Sequence, residues 1–362
     1  MTIELRPVTA DDWEAWRPVR LAALRDAPAA FGSTLADWVD APEHRWRTRL
    51  SIPGALDLVA HEGPSAVGTA SGVPDVDDPA RAELISMWVD PGVRNRGVAT
   101  ALIRAVAAWA ADAGAHTLEL SVVPDNTVAR RVYERNGFVV ADEPGDPLPD
   151  GRHEIVMRRD LGAERTLAAY EHGAEQYAAR TDDHRAGLVD DLVGVLPSGS
   201  HVLELGSGPG RDALALEAAG FVVDRTDGAR SFVDALRAVG HEARLLDVRS
   251  DDLGGPYDAV FANAVLLHVA RPLLPDVLER ALAAVRPGGV LAATVKRGEG
   301  DGWSNRKLDR ARHFTYWTES DLEAVVGRAG WTDVVVRETT RAGADERWLT
   351  VTARRPEEAG RP

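Results

Sequence analysis

Three glycines stand close together at Gly206, Gly208 and Gly210, directly after a short apolar stretch that carries Glu204. Glycine lets a backbone come near a ligand where a Cβ atom would collide. A strand, a glycine turn and a helix in succession therefore form a cradle for a nucleotide-like ligand. The dinucleotide-binding fingerprint needs its third glycine five residues after the first, and this chain has Arg211 at that position. The spacing thus predicts a nucleotide-like ligand but does not match the dinucleotide fingerprint.

A carboxylate follows the next predicted strand. This strand, Phe221–Arg225, ends just before Asp227, and a carboxylate at the end of a second strand can accept hydrogen bonds from both hydroxyls of a ribose. We expect Asp227 to lie in an open cleft and to pack against few side chains. Its replacement by alanine is then expected to weaken ligand binding and to leave folding nearly unchanged. If Asp227 is instead only a capping or turn residue, the melting temperature is expected to fall and the affinity to hold.

A second turn, at residues 94–100, has the features of an anion site. A predicted strand ends near Val89, Arg94 and Arg96 lie in the turn, and a helix begins at about Val98. The first N–H groups of a helix have no partner inside the helix and attract anions, a pyrophosphate in particular. The turn lacks Gly-Lys-Ser/Thr, so it is not a phosphate-binding loop of the NTPase kind.

The residues of this turn resemble those of a known family. Arg94, Gly97 and Ala99 fit the Arg/Gln-x-x-Gly-x-Gly/Ala pattern of the GNAT N-acetyltransferase superfamily, whose turn holds the pyrophosphate of acetyl-CoA. Asn126 and Tyr133 resemble the Asn and Tyr that flank the pantetheine arm in the family's second signature. The likeness covers roughly residues 1–160. The acetyl-CoA contacts that it implies are Val89, Arg94, Asn95, Arg96, Gly97, Val98, Ala99, Thr100 and Asn126.

The resemblance implies direct attack of an amine on the acetyl thioester. In that mechanism Tyr133 would protonate the leaving thiolate, and Glu83 is the candidate general base, directly or through water. The strand Glu83–Val89 would splay from its neighbour, so that a backbone N–H near Val89 could stabilise the carbonyl oxygen. Simpler interpretations remain open: Tyr133 as a core side chain, Glu83 as a solvated carboxylate and Arg96 as a surface charge.

The second half resembles the class I S-adenosylmethionine-dependent methyltransferases. The glycine spacing, with Glu204 just before it, is similar to their motif I, and the segment Arg286–Gly289 followed by a strand is common among them. In that class acidic residues at the places of Asp227 and Asp247 lie near the ribose and the adenine amino group. The likeness spans about 165–355. The S-adenosylmethionine contacts that it implies are Glu204, Gly206, Ser207, Gly208, Gly210, Arg211, Asp227, Asp247, Val248 and Asn263.

Two further features of the second half are candidates for contact with the methyl acceptor. His268 follows a predicted strand, where it could act as a general base near neutral pH, or could be a packed or exposed histidine. Methyl transfer from a sulfonium needs chiefly alignment and proximity, so a dedicated base can be absent. Lys296–Thr318 is rich in arginine and aromatic residues and is predicted to be either a substrate lid or a solvated loop. Tyr177 either touches the methyl donor, as in the family, or packs on its own helix.

The elements that position these residues follow two patterns. In the first half we predict a helix at Asp12–Arg25 that Pro18 kinks or splits, and a loop at Glu143–Gly151. Between residues 200 and 296 strands alternate with helices, and Val334–Glu338 pairs with Trp348–Ala353 as an antiparallel closure. The predicted fold class is α/β: an N-terminal GNAT α/β fold with a splayed mixed sheet, then a C-terminal doubly wound, Rossmann-like methyltransferase sheet.

Length and composition limit the function classes. The 362 residues suit two domains, which we place at 1–162 and 163–356. The chain has no cysteine, which excludes disulfides, thiolate metal sites and cysteine nucleophiles, and we expect no metal. The formal charge of −15 is spread over two acidic halves, so a nucleic-acid partner is disfavoured. We see neither a secretory signal nor a membrane-spanning apolar run, and expect a cytoplasmic protein.

These observations together predict a bifunctional transferase. One half would use acetyl-CoA for N-acetylation of an amine, and the other would use S-adenosylmethionine to methylate a small molecule. The alternative is that only one half is catalytic and the other is a cofactor-binding or scaffold module. The sequence does not identify either acceptor.

Overall fold

The chain divides into two compact units, Met1–Arg165 and Thr166–Pro362, named here the N-terminal and C-terminal units. The structure, a computed structural model, describes residues 3–181, 187–340 and 346–357. Within these ranges no helix is both long enough and apolar enough to span a membrane.

A seven-stranded mixed sheet forms the centre of the N-terminal unit. Its strands are β1 (Ile3–Val8), β2 (Leu56–Glu62), β3 (Ser65–Pro74), β4 (Arg81–Val89), β5 (Thr117–Val122), β6 (Val139–Pro147) and β7 (His153–Asp160). Their order is β1-β2-β3-β4-β5-β7-β6, and only β4 and β5 are parallel neighbours. The register pairs β4 with β5 from Arg81 to Glu83 only, so the two strands separate beyond that point. The predicted splayed sheet is confirmed.

Helices cover both faces of this sheet. They are α1 (Trp13–Asp26), α2 (Leu35–Val39), α3 (Glu43–Arg49), α4 (Val98–Asp112) and α5 (Thr127–Arg135). Successive side chains of a strand point to opposite faces, and β2 shows how the faces are used. Leu58 packs in the cluster with Leu102 of α4, whereas Val59 packs in the cluster with Trp16 of α1 and Trp46 of α3.

The C-terminal unit contains a second seven-stranded sheet and a small hairpin. Its strands are β8 (His201–Leu205), β9 (Val222–Asp227), β10 (Arg244–Leu245), β11 (Tyr257–Ala262), β12 (Val285–Lys296), β13 (Asp301–Ser304), β14 (Arg312–Thr315), β15 (Thr332–Thr340) and β16 (Arg347–Arg354). The sheet order is β10-β9-β8-β11-β12-β16-β15. The first five strands in this order are parallel to one another, and β16 is antiparallel to both of its neighbours, β12 and β15. This arrangement confirms the predicted doubly wound sheet and its antiparallel closure.

Three of the helices described after residue 161 lie between parallel strands in sequence, namely those after β8, β9 and β11. The α-helices of this part of the chain are α6 (Gly162–Arg180), α7 (Gly187–Val193), α8 (Arg211–Ala218), α9 (Arg230–Ala238), α10 (Leu274–Ala284) and α11 (Glu319–Arg328). Crossover helices of this kind return the chain to the same edge, so the carboxyl ends of β8, β9 and β11 share one edge of the sheet.

Two sequence predictions of secondary structure were wrong, and one of two open alternatives is excluded. Helix α1 is continuous through Pro18, whose side chain is exposed, so water can satisfy the carbonyl that loses its hydrogen bond. The predicted loop at Glu143–Gly151 is in its first part the end of β6, because β7 pairs with it as far as Pro147. Lys296–Thr318 is not a solvated loop, because it forms the hairpin β13–β14 with buried side chains such as Phe314.

Candidate functional site

In the N-terminal unit the gap between β4 and β5 has a backbone donor at its edge. Strand β4 bulges where its register with β3 shifts, and Ser86 there has a left-handed φ of 55°. The Asp90 N–H donates to the Val67 carbonyl of β3 at 2.9 Å. Donors alternate along a strand, so the Val89 N–H faces the opposite side, towards the gap. This is the orientation that an oxyanion donor at Val89 requires.

The predicted anion turn ends at an open helix N-terminus. Gly97 precedes α4 with a left-handed φ of 82°, and no side chain caps the helix. The N–H groups of Val98, Ala99 and Thr100 belong to the first turn and have no acceptor within the helix. A Cβ placed on Gly97 would meet nothing within 4 Å, so space in front of the turn is open. The turn therefore fits a pyrophosphate.

The arginines of the turn are paired with carboxylates. Arg94 forms an ion pair with Asp26, and its Nε donates to the Val89 carbonyl at 3.0 Å. Arg96 forms an ion pair with Glu62. Both guanidinium groups are largely exposed, and exposed ion pairs contribute little free energy, so they can exchange partners. Contact of either arginine with acetyl-CoA stays a prediction.

Tyr133 lies on α5 with its ring 5.8 Å from that of Phe138. Its hydroxyl has no hydrogen-bond partner among the described residues, and burial raises its pKa to about 12. The phenol therefore keeps its proton at neutral pH, as a general acid must. Asn126 caps α5 by accepting from the Ala129 N–H at 3.1 Å, so its side-chain oxygen is engaged within the protein.

Glu83 occupies the last position at which β4 and β5 pair, opposite Glu119. The surrounding protein displaces part of its water and thereby raises its pKa, and the charge of Glu119 adds to the effect. The carboxylates of Asp75, Asp146 and Glu154 raise the pKa further. A carboxylate with a raised pKa is a better proton acceptor near neutral pH, which suits a general base.

The three glycines of the C-terminal unit are all left-handed, with φ values of 68°, 51° and 85° for Gly206, Gly208 and Gly210. A Cβ on Gly206 would lie 2.4 Å from Val265, and one on Gly210 would lie 2.6 Å from Leu236. A Cβ on Gly208 would meet nothing within 4 Å. The outer glycines are thus required by packing, while Gly208 borders open space where a ligand can approach the backbone.

The expectation that Asp227 lies in an open cleft was wrong. Its side chain is buried, and its two carboxylate oxygens accept from the N–H groups of Gly208 and Ala229, each at 2.8 Å. Burial raises its pKa to about 6, although these two backbone bonds lower it. Asp227 holds the glycine turn in place, and a carboxylate has further lone pairs with which it can accept from a ribose.

Glu204 lies beneath the turn rather than beside open space. It is buried within β8, and the Ser207 hydroxyl donates to its carboxyl group. Burial raises its pKa to about 8, so the group is mostly protonated at neutral pH. The sequence predicted Glu204 and Ser207 as S-adenosylmethionine contacts, and the structure shows that they bond to each other.

Two predicted ligand side chains, those of Arg211 and Asn263, are bound within the protein. The Arg211 guanidinium donates to the carbonyls of Thr181 and Ala178 at the end of α6. The Asn263 amide donates to Asp212 at 2.7 Å and accepts from Thr294 at 2.7 Å. These bonds hold Arg211 against the end of α6 and link Asn263 to α8 and β12, and contact of either residue with the ligand stays a prediction.

Asp247 and Val248 follow β10. The Asp247 carboxylate pairs with the Arg249 guanidinium at 2.8 Å, which neutralises the charge expected near the adenine amino group. The Val248 carbonyl accepts a hydrogen bond from Arg280 at 2.7 Å. The backbone N–H of Val248 is therefore the group that could bond to the adenine ring of the methyl donor. Both positions stay predictions as ligand contacts.

His268 is not placed to act as a general base. Its Nδ1 lies 2.7 Å from the His313 carbonyl and must carry the proton, while Nε2 lies 2.9 Å from the Tyr170 hydroxyl. Tyr170 in turn accepts from Arg312 at 2.9 Å. Burial lowers the pKa of His268 to about 3, so the ring is neutral. The histidine is a structural member of a satisfied hydrogen-bond network, because its one acceptor nitrogen is occupied.

An aromatic cluster around Tyr170 was missed by the sequence reasoning. The Tyr170 ring lies 5.2 Å from Tyr177 and 6.2 Å from Phe232, and Arg312 lies over it at 5.2 Å. Tyr170 and Tyr177 are seven residues apart on α6, on either side of a kink at Gly173, and this spacing was the available signal. Gly173 between them lets Leu308 come close, since a Cβ there would lie 2.6 Å from it.

Comparison with known proteins agrees with both halves. The model of the acetyltransferase (GNAT) family matches residues 16–138, and that of a methyltransferase domain matches residues 172–336. The trans-aconitate 2-methyltransferase of Mycobacterium sp. (strain KMS) is 30% identical over 202 residues, which cover 48% of this chain and 77% of the relative. An uncharacterised N-acetyltransferase of Mycobacterium bovis is 33% identical over 123 residues, covering 33% of this chain and 78% of the relative. A solved 1,6-didemethyltoxoflavin-N1-methyltransferase of Burkholderia thailandensis, with bound S-adenosylhomocysteine, has a TM-score of 0.46 and 19% identity over 61% of this chain and 95% of its own.

The fold, the two cradles and these matches define a two-domain transferase. The chain belongs to the GNAT acetyltransferases through its N-terminal unit and to the S-adenosylmethionine-dependent methyltransferases through its C-terminal unit. Acetyl-CoA and S-adenosylmethionine are accordingly the donors of the two domains.

Proposed function

We propose that both units are catalytic and that the N-terminal unit acetylates a primary amine. Bound acetyl-CoA supplies an activated acetyl thioester. Glu83 takes a proton from the attacking amine, directly or through water, while the Val89 N–H donates to the carbonyl oxygen as it gains negative charge. The Tyr133 hydroxyl gives its proton to the departing sulfur. The observation that carries this assignment is the gap beyond Glu83, which places β4 with its base, bulge and backbone donor beside an unpaired edge.

The methyl donor is proposed to lie against Gly208 with its ribose hydroxyls on Asp227. Support comes from the open space at Gly208 and from the direct bond between the Gly208 N–H and Asp227. No general base is assigned, because His268 is occupied and methyl transfer needs chiefly alignment.

A small carboxylic acid is the methyl acceptor that we propose. The relative named trans-aconitate 2-methyltransferase acts, by its name, on such an acid. In this chain Arg312 lies in the aromatic cluster, and its buried Nε has no hydrogen-bond partner within the part of the chain that the structure describes. Loss of label transfer to trans-aconitate and related acids in Arg312→Met, with donor binding kept, would support this acceptor class, and unchanged transfer would contradict it.

We further propose that the protein works in the cytoplasm on small molecules, and not on nucleic acid. Both donors are metabolites of that compartment, and the chain carries a net charge of −15, which repels a polyanion.

A matched pair of glycine variants tests the assignment of two separate donor sites. Gly97 and Gly208 are both left-handed and both border open space, so an alanine at either position strains the backbone to a similar degree and places a methyl group where a ligand would lie, without a clash with the protein. Calorimetry on the full chain should show about 10-fold weaker acetyl-CoA binding for Gly97→Ala alone, and about 10-fold weaker S-adenosylmethionine binding for Gly208→Ala alone. Loss of both affinities in one variant, or of neither, would overturn the assignment.

A further inference from the structure

One arginine of the N-terminal unit lacks the partners that a buried charge requires. Arg20 lies on α1 and is 5% exposed, and its Nε and Nη1 are buried with no hydrogen-bond partner among the described residues. A buried charge without a partner destabilises the folded state, and a ligand of opposite charge would remove that cost. Burial lowers the pKa of Arg20 to about 10, with a smaller effect from the charge of Arg49, and the group remains cationic at neutral pH.

The neighbours of Arg20 leave a net positive charge at this place. Arg20 stacks over the Phe31 ring at 4.7 Å, and Arg49 lies over the Trp16 ring at 5.5 Å. Arg49 already has a carboxylate partner, since its Nη1 lies 3.1 Å from buried Asp57. Asp57 thus balances the charge of Arg49, and a single negative charge would balance that of Arg20.

This cluster adjoins the strand that carries the proposed reaction. Arg49 also donates from Nη2 to the Ser86 hydroxyl at 3.2 Å, and Ser86 is the residue at the bulge of β4. Glu83 and Val89 lie on the same strand, on either side of this bulge. The arginines come from α1 and α3, which cover the face of the sheet opposite to α4 and its anion turn. The arginines therefore lie on the face of the sheet opposite to the donor turn, and Arg49 reaches β4 there through Ser86.

We propose that the acetyl acceptor is an amine that carries a carboxylate, and that Arg20 binds this carboxylate. The inference rests on the proposed acetyl transfer and names its acceptor class. The planar guanidinium of Arg20 can donate two parallel, charge-assisted hydrogen bonds to a carboxylate, and the aromatic rings around it exclude water from the pair. One carboxylate also supplies the single charge that the cluster lacks.

The test uses the full chain and matched pairs of amines with and without a carboxylate: L-phenylalanine with 2-phenylethylamine, L-leucine with 3-methylbutylamine, and 4-aminobutyrate with butylamine. Release of coenzyme A is followed with a thiol reagent, which gives no background because the chain has no cysteine. We expect at least one acid to exceed its partner by about 10- to 100-fold in kcat/KM, the range of a buried charge-assisted pair. Arg20→Met should abolish that preference and leave the carboxylate-free amines unchanged.

Two further variants separate ligand binding from a structural role. Arg20→Lys keeps the charge and should restore part of the preference, whereas Arg25→Met removes an exposed charge from the same helix and should change nothing. Arg20→Met should melt at the same or a higher temperature than the parent, because it removes an uncompensated buried charge. A lower melting temperature with equal losses for both members of each pair would overturn the proposal.

A binding measurement distinguishes this inference from the proposed function. In thermal melts of the coenzyme A-saturated protein, the acids should stabilise the parent and fail to stabilise Arg20→Met. Stabilisation without acetylation of any amine would contradict the proposed acetyl transfer and keep the carboxylate site. Acetylation with equal efficiency for acids and plain amines would overturn the carboxylate site and keep the acetyl transfer, and absence of any stabilisation by the acids would also overturn the site.

Discussion

The two donor cradles use the same local design and are supported in opposite ways. Each is a strand, a turn with a left-handed glycine and a helix N-terminus. In the N-terminal unit the turn is flanked by the exposed ion pairs of Arg94 and Arg96, which lie on the surface. In the C-terminal unit the turn is bonded from within by buried Asp227 and Glu204. Substitutions at the first cradle are therefore expected to alter function alone, whereas substitutions at the second are expected to alter function and stability together.

The largest effect is expected at the acetyl-transfer centre. Tyr133→Phe should lower the rate of acetyl transfer by ~10²-fold or more, because the proton for the leaving sulfur is lost. Acetyl-CoA affinity and melting temperature should stay unchanged, since the hydroxyl has no partner among the described residues. Steady-state kinetics with calorimetry and a melt would check all three. An unchanged rate would return Tyr133 to its interpretation as a core side chain.

The next effect concerns Asp227. Asp227→Ala should weaken S-adenosylmethionine binding by ~10-fold or more, and should also lower the melting temperature, because two backbone donors lose their acceptor. Asp227→Asn keeps the shape but only one of the two acceptor oxygens, so it should fall between the parent and Asp227→Ala in melting temperature. If affinity falls while the melting temperature holds, the contrast between the cradles is wrong.

The pH dependence of stability provides a third test. The pKa of Glu204 is raised by burial to about 8 in the folded protein, so the folded state keeps a proton that the unfolded chain releases above its ordinary pKa of 4.5. The stability of the C-terminal unit should therefore fall as pH rises from about 4.5 to 8, at up to ~1.4 kcal/mol per pH unit. Asp227, with its pKa raised to about 6, adds to the fall between about pH 4 and 6.

Glu204→Gln should reduce this pH dependence, because the amide cannot ionise yet can still accept from Ser207. Denaturant unfolding at several pH values, followed for the parent and this variant, measures the difference. Equal slopes in the two proteins would show that Glu204 is not the titrating group.

The smallest effect is expected at the exposed turn. Arg94→Gln should weaken acetyl-CoA binding by about 3-fold at low salt and less at high salt, because the contact is screened. The free energy of unfolding should change by less than about 0.5 kcal/mol, as for other surface substitutions. Calorimetry at two salt concentrations, with urea unfolding, would measure both. A loss of stability as large as that of Asp227→Ala would remove the distinction between the two cradles.

Features that depend only on residue type and short spacing could be predicted from the sequence. The glycine turns, the strand ends beside them and the doubly wound alternation follow from local rules, because a glycine, a cap or an apolar period acts on its own few residues. The splay of β4 was also predictable, from the resemblance of the turn that follows it.

Only the tertiary structure decided which polar side chains are available to a ligand. Arg211 donates to carbonyls at the end of α6, and His268 is hydrogen-bonded to Tyr170 and His313. The Nε and Nη1 of Arg20, in contrast, have no hydrogen-bond partner among the described residues. The partners of such groups lie tens of residues away in the chain, so no local pattern specifies them. Burial then sets whether a carboxyl group such as Glu204 keeps its proton, because desolvation depends on the whole packed environment and not on the neighbouring residues.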